Sequence, residues 1–240
     1  MFETIVIAII IFAAGFLQGL TGFGFALIAL PLLGLLIPIK TIIPLVVILA
    51  LCISLTLSLQ LRRSIRFNNI TVLFLATIIG IPVGVYSLKH IPAEILSLAL
   101  GCLMIAFTSY QLLAKPSPCK LGLPSTITAG FFSGILGGSI GAGGPPVIIY
   151  SAIQTWSKDE AKSTLAFYFF ISGIIISAFH AYSGLITSDV LNYIAISLPS
   201  LTVGVFLGTF AYKHISDHGY RKLATILIFL LGCMMIFKNF

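Results

Sequence analysis

Two clusters of small and neutral polar residues carry the chemistry open to this chain. The first is Gln18, Thr21, Gly22 and Gly24. The second is Ser133, Gly137, Gly138, Ser139, Gly141, Gly143 and Gly144, with Tyr150 and Gln154 shortly after and His180 on a later segment. Glycine lets a ligand approach the main chain, and amides and hydroxyls offer hydrogen bonds without charge. Where such a cluster interrupts a helix, the following half-helix presents free N–H groups and a positive dipole end, which together cradle an anion. Pro145 and Pro146 supply no N–H, so in the second cluster the main-chain donors fall to Gly143, Gly144 and Val147 or nearby. A side chain at Gly143 or Gly144 would intrude where substrate sits. The other reading of the hydroxyls and amides is helix–helix hydrogen bonding. For His180 the reading taken is a histidine near the membrane interface, beside residues 183–188; the sharper one is an anion ligand or proton carrier.

The elements that position these clusters are apolar. Residues 122–155 carry no charged side chain, yet 134–146 packs six glycines and two prolines into thirteen residues. Each glycine costs about 1 kcal/mol against alanine in a helix, and proline about 3, so a continuous helix is not expected here. In hydrocarbon a broken backbone is tolerated only inside protein or along a watery cavity. The expected object is two half-helices of about 15 residues meeting at an unwound turn over Gly141–Gly144, as in the substrate sites of many secondary transporters. The construction is repeated. Gly15-x-x-x-Gly19 before Gly22 and Gly24 matches Gly130-x-x-x-Gly134 before Gly141 to Gly144. Gly80-x-x-x-Gly84 before Lys89-His90 matches Gly204-x-x-x-Gly208 before Lys213-His214. The offsets are roughly 115 to 125 residues, the mark of an internal repeat. The organisation read from this is 1–114 as a first transmembrane repeat, 115–121 as linker and 122–240 as a second.

Composition sets the solvent. Hydrophobic residues make up 59% of the chain and charged residues 8%, and the mean hydropathy is +1.16. Soluble domains average about 25% charged residues, so the chain is read as an all-α integral membrane protein. Six apolar runs have the ~20-residue length of one crossing; residues 4–36 and 122–155 are too long and, broken at their glycines, go in and come back. That geometry gathers Arg62, Arg63, Arg66, Lys115, Lys120, Lys158, Lys162, Lys213, Arg221 and Lys222 on one face and leaves Lys40, Lys89 and Lys238 on the other. Basic residues collect on the cytoplasmic side, so both termini are expected outside. The repeats are then inverted, each a glycine-broken helical hairpin plus three transmembrane helices. The formal net charge of +7 follows from the same rule and is no sign of nucleic-acid binding. The acids are Glu3, Glu94, Asp159, Glu160, Asp189 and Asp217, all at or beyond span ends. Cation and proton pumps usually carry carboxylates within spans; an interior of neutral donors suits an anion. No metal, cofactor or enzymatic constellation is expected, and the four cysteines read as small hydrophobes.

The paired motifs GFLQGLTGFG and GFFSGILGGSIGAGGPP, in a two-repeat chain of this length, resemble the TauE/SafE sulfite exporter family over almost the whole chain. The resemblance implies a multi-pass bacterial or archaeal plasma-membrane transporter of sulfur-containing anions such as sulfite, thiosulfate, sulfonates or sulfoacetate. The expected function is secondary transport, as an exporter, with a small anionic substrate and the lipid bilayer as partners and a homodimer as a further expectation. The alternatives are a passive anion channel and a proton-coupled uptake carrier for thiosulfate or sulfate.

Overall fold

A computed structural model describes residues 2–60, 67–114, 119, 121–212 and 217–238. These form α1 (Phe2–Thr21), α2 (Phe25–Leu33), α3 (Ile39–Gln60), α4 (Phe67–His90), α5 (Ala93–Leu113), α6 (Leu123–Ile140), α7 (Gly144–Ile153), α8 (Lys158–Tyr182), α9 (Ser188–Tyr212) and α10 (Asp217–Phe237), with no strand among the described residues. Six stretches within these helices are long and apolar enough to cross a membrane: Glu3–Thr21, Ile39–Gln60, Ile70–His90, Ala93–Leu113, Glu160–Tyr182 and Ser188–Ala211. The basic residues Arg62, Arg63, Arg66, Lys115, Lys120 and Lys213, on which the charge argument leaned, lie outside the described residues.

Both long apolar runs are broken, but not into equal halves. The first is divided 20 and 9 residues, the second 18 and 10. The α6 helix runs straight through Gly134, Gly137 and Gly138, where the glycine content argued for a break. Its cost in propensity is offset by packing. A Cβ at Gly138 would lie 2.8 Å from the Ile81 carbonyl oxygen and 3.0 Å from the Val85 nitrogen, so the glycine lets two backbones meet. The helix ends only at Gly141, whose φ of 67° is left-handed and closed to most side chains. The α7 helix begins at Gly144, with Pro145 and Pro146 in its first turn, where proline is tolerated. The unwound stretch is therefore Gly141–Gly143, one residue shorter than expected.

Two compact units divide the chain. The first comprises Met1–Leu49, Ile91–Ala114 and Ile186–Phe240; the second comprises Ala50–His90 and Lys115–Leu185. Each unit draws on both sequence halves, so compact units and sequence repeats are different partitions of this chain. In the first unit α1 packs along α9, and α10 packs on α5 and α2. A Cβ on Gly19 would meet the Val205 carbonyl oxygen at 2.6 Å and the Thr209 nitrogen at 2.8 Å, and one on Gly15 would meet Leu201 at 3.3 Å. Moving along α1 thus moves the same way along α9: the two helices run parallel. In the second unit α4 packs along α6 and α8, and α7 lies against α6 and α8. There Gly80 would meet Ile135 N at 3.0 Å and Gly84 would meet Ser139 N at 3.0 Å, so α4 and α6 are parallel too. The glycine pair of one sequence half seats on the glycine pair of the other in both units.

Charge is placed at helix starts. Among the acids whose side chains are described, Glu3 of α1, Glu94 of α5, Glu160 of α8 and Asp189 of α9 all fall in first turns. There a carboxylate offsets the positive end of the helix dipole. Helix α8 begins at Lys158, with Ser157 as its N-cap. The Ser157 hydroxyl accepts the Glu160 N–H at 3.2 Å, and the Ser157 N–H donates to Glu160 Oε2 at 2.9 Å, a capping box. Ser157→Ala should cost about 1 kcal/mol, seen as a small fall in melting temperature in detergent. An unchanged melting temperature would mean the box contributes nothing.

Candidate functional site

The first break is held by its own side chains. Gln18, near the end of α1, accepts the Phe25 N–H on Oε1 at 2.8 Å and donates from Nε2 to the Gly22 carbonyl at 3.4 Å. Its carboxamide straps the turn to the start of α2. The Thr21 hydroxyl lies 2.8 Å from the Leu17 carbonyl oxygen, contacts the Phe23 carbonyl, and accepts the Phe23 N–H at 3.3 Å. Gly22 and Gly24 have φ of 81° and 100°, which only glycine adopts freely. The Gly24 carbonyl accepts the Ile28 N–H at 3.1 Å. With Phe25 engaged by Gln18, the N–H groups of Ala26 and Leu27 are those for which α2 itself offers no acceptor. Gly22, Gly24 and Ala26 are half-buried, so this main chain is not sealed.

The second break is tied to three helices. Ser133 of α6 donates to the Gly143 carbonyl at 2.6 Å. Tyr168 of α8 donates to Ser133 Oγ at 2.8 Å, and its hydroxyl shares a 2.6 Å hydrogen bond with Thr77 of α4. Tyr168 is 1% exposed and packs with Leu73 and Val147. Sequence reading missed Tyr168 and Thr77. An aromatic inside LAFYFFISG looks like core or lipid-facing packing, and nothing local shows that its hydroxyl bonds the Ser133 that holds the second break.

The other expected residues are placed as follows. Gly141, Gly143 and Gly144 are half-buried at the break. Gly137 lies beneath it, 3.1 Å from where a Gly143 Cβ would stand, and Gly138 packs on α4. The Ser139 hydroxyl donates back to the Ile135 carbonyl at 2.6 Å. Tyr150 shares a 3.1 Å hydrogen bond with Thr126. Gln154 ends α7, about 15 Å along the helix from the break at 1.5 Å per residue; its N–H donates to Ser151 O at 3.2 Å. His180 lies inside the protein and not on its surface. It is fully buried, and its Nε2–H donates to the Gly138 carbonyl at 3.0 Å, a group that only accepts. In the neutral ring Nδ1 is then the acceptor, and Nδ1 is buried without a protein partner. His180 thus braces the last turn of α6, just before the break.

Each break is thus a short accessible stretch of glycine main chain, fixed by neutral side chains, at the N-terminus of a half-helix. No solved structure matches the chain. "Probable sulfite/organosulfonate exporter TauE" of Cupriavidus necator is 25% identical over 204 residues, covering 82% of this chain and 79% of that protein. The family described as sulfite exporter TauE/SafE matches residues 7–235, and the chain belongs to that family of membrane transport proteins.

Proposed function

We propose that the chain exports a small sulfur-containing anion, such as sulfite or a sulfonate, across the plasma membrane as a secondary carrier, binding it at the main chain of the glycine breaks. The observation that carries this is the second break: half-buried glycines at the start of α7, tied by Ser133, with no carboxylate in mid-span. A tetrahedral or pyramidal oxyanion accepts several N–H bonds at once, and the dipole end stabilises its charge without a counter-ion. The family, and the name of the Cupriavidus necator relative, supply the sulfur chemistry.

Helix directions support the returning geometry. In the second unit α6 and α8 are linked at Ser133–Tyr168 and again, further along both, at Gly138–His180. They therefore run the same way, and the chain must come back between them through α7. A single crossing by residues 122–155 would make them antiparallel. Counting crossings with α2 and α7 as returns gives α1 and α9 a common direction and likewise α4, α6 and α8, as the packing within each unit requires. The inverted repeats and the outside placement of both termini rest on the distribution of basic residues along the sequence. Residues 1–114 and 122–240 are on this reading the two repeats.

An inside-negative potential drives an anion outward, by ~2.3 kcal/mol per charge per 100 mV, so export needs no second ion. Proteoliposomes loaded with sulfite or sulfoacetate are expected to show saturable efflux, counterflow, and acceleration by a potential negative on the loaded side. Linear flux without counterflow would make the protein a channel. Strict Na⁺ dependence with no response to potential would overturn the reading.

A further inference from the structure

We infer that Tyr168 is a positioning residue for the anion site of the second break: its hydroxyl, held between Thr77 and Ser133, fixes the direction and donor strength of the Gly144 N–H. This rests on the function proposed above. The Gly143 carbonyl and the Gly144 N–H belong to one planar trans peptide, so they point in opposite directions. Ser133 draws that carbonyl toward α6 at 2.6 Å. The N–H is thereby aimed away from α6, and as the first residue of α7 it has no acceptor within its own helix.

Proton counting shows why Tyr168 matters. Ser133, Tyr168 and Thr77 carry one hydroxyl proton each. If Ser133 gives its proton to Gly143, it can receive one only from Tyr168, 2.8 Å away. Tyr168 must then receive from Thr77 at 2.6 Å. Thr77 has competing acceptors, the Leu73 and Gly130 carbonyls at 2.8 and 3.0 Å. The chain thus has two directions. One ends on Gly143 and polarises the Gly144 N–H through the shared peptide; the other ends on α4 and α6 and leaves Gly143 without the Ser133 proton. All three hydroxyls belong to buried residues, where such chains strengthen cooperatively. An anion on the Gly144 N–H favours the first direction, so anion occupancy and the hydroxyl chain support each other.

The test compares Tyr168→Phe, Ser133→Ala and the double variant with Thr126→Val, which removes a buried hydroxyl from α6 that is not in this chain. The readouts are sulfite efflux and the amide proton shift of Gly144 in ¹⁵N-glycine-labelled protein, assigned by its loss in Gly144→Ala. Tyr168→Phe and Ser133→Ala should each raise KM about 3- to 10-fold, the worth of one hydrogen bond, with maximal flux much less changed. The double variant should be no worse than Ser133→Ala. Both single variants should move the Gly144 resonance upfield, and Thr126→Val should leave KM and resonance where they are. An unmoved Gly144 resonance in Tyr168→Phe, or an unchanged KM while the unaltered protein transports, overturns the inference. If the unaltered protein shows no saturable sulfite or sulfonate flux, the proposed function fails, and the resonance alone still decides whether Tyr168 sets this peptide.

Discussion

Gly134→Val is expected to leave the second unit unassembled. A Cβ at Gly134 would press on the Thr77 carbonyl oxygen and stand 3.0 Å from the Ile81 nitrogen and 3.1 Å from the Gly80 carbonyl carbon. These are main-chain atoms of a helix and cannot swing aside, so α4 and α6 must part. Gly80, Gly84, Gly130 and Gly138 all lie on the same seam, and separation at one point loosens every other. Overpacking in a deformable core costs about 1–3 kcal/mol; against backbone along a whole seam the cost should exceed that range. The expected result in detergent is an aggregated or unfolded fraction by size exclusion and no cooperative melt. Gly173→Ala is the comparison. Its Cβ would touch only the Leu51 side chain, at 3.2 Å and beyond, so a small shift in melting temperature is expected. If Gly134→Val melts like the unaltered protein, the parallel seam described for α4 and α6 is wrong.

That seam also shows what could be read in advance and what could not. A Gly-x-x-x-Gly pair announces that two backbones meet but not which two. Gly130 and Gly134 look no different whether their partner is Gly204 and Gly208, nearby in the same half, or Gly80 and Gly84 from the other. The chain takes the second option, and Gly15 and Gly19 take the matching one with Gly204 and Gly208. For the same reason the break was legible while its edge was not. Propensity penalises Gly134, Gly137 and Gly138 alike, but the helix survives wherever a glycine has a backbone to rest on and stops at Gly141. His180 illustrates a different blindness. Tyr182, two residues later, is 92% exposed and His180 is 0% exposed, because positions two apart lie on nearly opposite faces of a helix. Nearness to a loop in sequence said nothing about which face. The apolar composition, the glycine clusters and the acids at span ends needed no partner to be interpreted, and these were readable from the residues alone.

The strongest test of the site itself contrasts two adjacent glycines. From sequence, Gly143 and Gly144 are interchangeable: either side chain would intrude where substrate sits. The geometry separates them. A Cβ at Gly143 would stand 2.6 Å from the Ser133 carbonyl oxygen and 3.1 and 3.2 Å from Gly137 Cα and N, so Gly143→Val should push α7 off α6 and lose stability along with transport. A Cβ at Gly144 meets only Ile148 Cδ1 at 3.4 Å and Phe169 Cζ at 3.7 Å, ordinary van der Waals contact. Gly144→Ala should therefore fold and transport nearly normally. Gly144→Val places two methyl groups beside its own N–H, on a Cβ whose neighbours are side chains only. It should keep the melting temperature near that of the unaltered protein while saturable efflux of sulfite or sulfoacetate falls about 10-fold or more, the worth of roughly 1.4 kcal/mol of binding. Loss of flux with stability intact is the signature of a covered binding surface, and Gly143→Val cannot provide it because its two losses arrive together. Full efflux from a stable Gly144→Val protein would place anion binding elsewhere than the second break, and the hydroxyl chain of Thr77, Tyr168 and Ser133 would then serve only to hold α7 in place.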